Sequence, residues 1–103
     1  MSALIIDSIK VENIIGTIDD YGLGGFMAKV SIKGDFLGVT FEEDFIVSKP
    51  LKSQDSLSVQ FSDFINPGNT QNALLNAVKK WVQDNLFNIQ KAGLSNPGKW
   101  VNM

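Results

Sequence analysis

An α+β domain is the fold class this sequence predicts: an antiparallel four- to five-stranded meander sheet with one long C-terminal helix packed across one face. Residues 1–65 are rich in β-branched and aromatic side chains, broken by short Gly and Asp segments. Residues 69–92 change to Ala, Leu, Asn, Gln and Lys at helical spacing, and strand and helix patterns do not alternate along the chain. The 103 residues are enough for one domain; its body is expected over residues 1–94, with a C-terminal tail over 95–103.

The first strand is expected over residues 9–18, with residues 3–6 as its extension or as a short separate strand. Ile14 and Ile15 are adjacent apolar residues followed by Gly16, so alternation fails there. A bulge, or a strand covered on both faces, accounts for that. Residues 19–25 hold three glycines in seven and connect to the next strand.

Residues 25–33 are the clearest strand, with Phe26, Ala28, Val30 and Ile32 alternating with Met27, Lys29, Ser31 and Lys33. Gly34-Asp35 then reads as a two-residue hairpin loop, because Gly supplies positive φ at the first central position. That loop pairs Ile32 with Leu37, Val30 with Val39 and Ala28 with Phe41, and sets Lys29 diagonal to Glu42. It leaves Ile14, Met27, Phe36 and Ile46 on the face away from the helix, to be covered by water, the N-terminal segment or a second subunit. A fourth strand over residues 56–62 points Leu57, Val59 and Phe61 inward.

Asn66-Pro67-Gly68-Asn69 matches a type II turn. The helix follows, capped by Asn69 or Thr70, and stops after Ala92 in a Schellman arrangement at Gly93 that packs Leu94 on Ile89. Its apolar residues, Leu74, Val78, Trp81, Val82 and Ile89 among them, fill a sector about 180° wide, broader than the ~100° stripe of a surface helix. Two residues break the pattern. Asn85 falls in the middle of the apolar sector, where its amide needs a partner, and Phe87 points out among Asn76, Lys80, Gln83 and Lys91. The Asn-Pro-Gly turn recurs at 96–98, ahead of Trp100.

Composition narrows the chemistry. The chain has no Cys and no His, which removes disulfides, thiolate nucleophiles, Cys or His zinc sites and imidazole acid-base catalysis. Nine cations, all Lys, stand against eleven carboxylates for a net charge of −2. Bidentate guanidinium recognition is therefore missing, and no nucleic acid partner is expected. No apolar run reaches the ~18 residues of a membrane span, and the first residues lack the basic and apolar regions of a signal peptide. No membrane partner is expected, and the location follows as cytoplasmic, or virion-associated for a phage protein.

Glu42 and Asp44 face the same way on a strand and could share a hard cation, although a solvated face with edge protection is the plainer reading of Glu42-Glu43-Asp44. A cleft between loop 19–25 and carboxylates 42–44 would suit a small-ligand or divalent-cation binding domain, or a minor enzyme. The glycine segment around Tyr21 precedes a strand and lacks the Lys-Ser/Thr of a phosphate loop, so no nucleotide or other cofactor is expected.

The leading expectation is a non-enzymatic protein-protein interaction or assembly module, a homo-oligomer. Phe87 and Trp100 are large apolar groups without a partner in the expected fold and would anchor the interface, joined by Asn85 and Tyr21. The alternative is a tail that folds back so that Trp100 covers Phe87. The Lys and Asn bias without Arg points to an AT-rich bacterial or phage genome, and so to a small accessory or structural protein.

Overall fold

The computed structural model describes residues 3–18, 24–49, 57–62 and 69–103. Strands β1 (Leu4–Ile15), β2 (Phe26–Phe36), β3 (Val39–Lys49), β4 (Ser58–Phe61) and β5 (Trp100–Asn102) form one antiparallel sheet in the order β4-β3-β2-β1-β5. Helices α1 (Asn69–Asp84) and α2 (Leu86–Ser95) cover one face of it. The α+β meander stands; the single long helix does not. The turn at 66–68 and the capping side chains of Asn69 and Thr70 lie outside the described residues.

β1 explains its own broken alternation. Leu4, Ile6, Ile9, Val11 and Ile14 all join the core, at spacings of two, three, two and three. A strand of strict period two would turn two of the five to the other face. The register against β2 shifts between Ile6 and Ser8 and again between Glu12 and Ile15, so two bulges restore the face each time. Asn13 takes φ 56° in the second, a conformation Asn tolerates better than most residues.

The β2–β3 hairpin turns at Leu37-Gly38, not at Gly34-Asp35: Phe36 pairs with Val39, and both central residues have positive φ, 53° and 83°. That is the signature of a type I′ turn. The shift preserves the faces and sets the most buried residues of the two strands opposite each other, while Ile32 now pairs with Glu43. Val30 meets Phe45 and Ala28 meets Val47, all at most 1% exposed. On the other face Lys33 pairs with Glu42 at 3.5 Å and Lys29 with Asp44 at 3.6 Å. Gly34 is instead a strand glycine, because a Cβ there would strike the Ile5 carbonyl where β1 bulges. With the turn moved, Phe36 and also Ile14 pack against the core, while Met27 and Ile46 keep the outer face.

The helix breaks at Asn85, the residue that interrupts its apolar sector. Asn85 leaves helical geometry at φ −124°, and its backbone N–H donates to the Val82 carbonyl at 3.2 Å. Its side-chain Nδ2 donates to the Trp81 carbonyl at 2.9 Å, which satisfies the acceptor that the missing backbone bond would have left open. Val78, Val82 and Ile89, on the two sides of the break, are fully buried against the sheet.

Gly93 does not end a helix. It lies inside α2, buried, where a Cβ would collide with Ile14 Cδ1 and approach Val11 Cγ1 to 2.7 Å. The helix stops at Asn96, whose N–H donates to the Ala92 carbonyl at 2.8 Å, and Leu94 is exposed instead of packing on Ile89. A turn through Pro97 and Gly98 follows, closed by the Lys99 N–H on the Asn96 carbonyl at 3.2 Å. Residues 100–102 then pair with β1 and supply the fifth strand.

Candidate functional site

The outer face of the sheet, away from the helices, carries paired charges at its centre and exposed Ile5, Ile15 and Met27 toward its ends. Lys10 contacts Glu12 at 3.5 Å on β1, beside the Lys33–Glu42 and Lys29–Asp44 pairs. Trp100 lies on this face opposite Lys10, with the Lys33 Nζ 4.1 Å and the Lys10 Nζ 5.2 Å from its ring centroid. At 36% exposure the ring is held by two cations and is not a free anchor. An open depression of about 410 Å³ adjoins it over Gly34, bordered by Ser8, Lys33, Thr40 and Glu42. Its one cation and one of its carboxylates, Lys33 and Glu42, already neutralise each other.

Phe87 is 50% exposed on α2, on the helix side of the molecule, so Trp100 does not cover it and the two do not form one patch. Asn85 is spent on the helix break. Tyr21 lies outside the described residues. Glu42 and Asp44 each face a lysine, and among the described residues no group of three or more acidic, His or Cys side chains converges as a metal site. The cleft expected between loop 19–25 and these carboxylates is not assembled by the described part of that segment. Gly24 accepts a bond from Lys49 Nζ at 3.0 Å, at the end of β3 remote from Glu42. Among the described residues no helix is long and apolar enough to cross a membrane.

The hairpin tip was missed by sequence reading. Leu37 and Val39 were expected to face inward, yet they are 66% and 69% exposed, with exposed Ile5 on neighbouring β1. Leu37 also holds a left-handed conformation that costs a non-glycine residue roughly 1 kcal/mol or more. The edge of β3 beside the tip is open. β4 pairs only with residues 45–48 and the Ser62 N–H reaches the Asp44 carbonyl at 2.9 Å, so among the described residues no strand adjoins residues 39–43. The signal was present in the charges, since only the Leu37-Gly38 turn sets Lys33 opposite Glu42.

The chain matches no known protein family, no curated protein and no solved structure.

Proposed function

We propose that this protein is a non-enzymatic interaction module that assembles with copies of itself, and that the β2–β3 hairpin tip makes the contact. The observation that carries this reading is Leu37. Its left-handed geometry costs stability, and although its N–H donates to the Ala3 carbonyl at 3.0 Å, its side chain is 66% exposed and gains little burial in return. Val39 extends the apolar tip on the helix side of the sheet, Ile5 is exposed on the opposite face, and Phe87 and Leu94 are exposed on α2. The pairing of Glu12, Glu42 and Asp44 with lysines favours a structural use of those carboxylates over catalysis. The Lys-rich, Arg-free composition supports a small bacterial or phage accessory protein, cytoplasmic or virion-associated.

Light scattering on the eluting chain, over a roughly hundredfold concentration range, tests this together with Leu37→Asn. Asn-Gly is the favoured type I′ pair, so the variant should melt higher, by about 1 kcal/mol of stability, while losing the concentration-dependent rise in mass. Wild type that stays at one chain throughout overturns self-assembly. Association unchanged by Leu37→Asn moves the contact elsewhere, with Phe87→Ser as the next variant.

A further inference from the structure

The open stretch of β3 is half of an antiparallel interface, and we propose that the other half is the same stretch of a second copy, paired about a twofold axis at Thr40. This pairing rests on the self-assembly reading above and adds its geometry.

The hydrogen-bonding phase of the edge follows from the turn. In a two-residue hairpin the residues flanking the loop, here Phe36 and Val39, exchange bonds, and bonded pairs alternate from there. Thr40 and Glu42 therefore turn their N–H and C=O groups away from β2. Asp44 agrees with that phase, since its carbonyl accepts the Ser62 N–H on the outer side. Among the described residues nothing bonds to the outward groups of Thr40 and Glu42.

Charge and space then choose the register. An axis at Glu42 opposes the two Glu42 side chains, which is unfavourable, and sets Thr40 on Asp44, where Ser62 already sits. An axis at Phe41 brings Gly38 of the second copy onto that same occupied position. With the axis at Thr40, the two Thr40 residues exchange backbone bonds and their side chains face each other. Each Val39 meets the second copy's Phe41 on the helix side of the sheet, and each Glu42 falls beside a Gly38. No like charges are opposed, and Ser62 is clear. Glu42, Glu43 and Asp44 block sliding to other registers, so the edge is protected everywhere except at the Thr40 window. Two backbone bonds, two Val39–Phe41 contacts and each Leu37 set opposite the aliphatic part of the second copy's Glu43 make a small interface, hence a weak dimer whose population follows concentration.

Residue-resolved amide hydrogen exchange on the intact chain, at two concentrations roughly hundredfold apart, tests the pairing, with mass by light scattering on the same samples. The Thr40 amide should exchange freely when dilute and about tenfold or more slowly when concentrated, as the mass rises toward two chains. Thr40→Pro removes an N–H that β2 does not use and that an edge strand can lose, so the variant should keep its circular dichroism spectrum and lose both changes. Should that variant not fold, the exchange of the unaltered chain decides alone. A dimer whose Thr40 amide stays fast overturns the edge pairing and leaves self-assembly standing, whereas a mass of one chain throughout overturns both. Protection independent of dilution also overturns the pairing, because the edge is then covered within one chain.

Discussion

Replacing Gly93 by Ala opposes two effects of known sign. In an ordinary helix interior the change stabilises by about 1 kcal/mol, because Ala has the better helix propensity. Here the added methyl would collide with Ile14 Cδ1 and come within 2.7 Å of Val11 Cγ1. Val11 is 1% exposed and branched at Cβ, so it has little room to rotate away. Overpacking of this kind costs about 1–3 kcal/mol, and the collision involves two side chains at once, so the net should be a loss of about 1–2 kcal/mol. For a domain of this size that lowers the melting temperature by roughly 5–10 °C. Thermal and urea unfolding of Gly93→Ala, Ile14→Val and the double variant would measure it. Valine lacks Cδ1, so the double variant should be more stable than the sum of the two single losses allows. A higher melting temperature for Gly93→Ala would refute the close contact between α2 and β1.

Two further outcomes test how the segment after β1 and the C-terminal strand are held. Gln90 clamps the backbone of Ile18, accepting its N–H through Oε1 at 2.6 Å and donating Nε2 to its carbonyl at 3.0 Å, so Gln90→Ala should cost about 2 kcal/mol in urea unfolding. A loss below a few tenths of a kcal/mol would mean that water replaces both bonds. Trp100→Ala should free β5 with only about 1 kcal/mol of lost cation-π interaction. The amides of Gly98 and Met103, bonded to Val11 and Asp7 at 2.9 and 3.0 Å, should then exchange faster, with the melting temperature lowered by roughly 5 °C.

What was legible in the sequence was local pattern: the existence of β1 to β4, the face of β2, the apolar side of the helix and the broken alternation near Ile14. What was not legible depended on partners distant along the chain. Gly34 looked like a turn residue because glycine is the usual turn signal, yet its constraint comes from the Ile5 carbonyl across the sheet. Gly93 looked like a helix stop for the same reason, and its constraint is Ile14 and Val11 on β1. The pairing of Trp100 with Lys10 and Lys33 required the C-terminal residues to return as a strand, which nothing in a three-residue element announces.

Four positions in this chain break a local rule, and comparing them separates structural from functional causes. Gly34 weakens a strand and Gly93 a helix, but each permits a close approach that a side chain would block. Asn85 interrupts an apolar sector, and its side chain supplies the hydrogen bond that its break removes. Leu37 is different. Its left-handed backbone would suit Asn or Gly at lower cost, and its exposed side chain contributes little burial within the described chain. A residue that costs the isolated fold stability and persists at the tip of its longest hairpin, beside the open half of β3, is better explained by a contact outside the chain than by the fold itself.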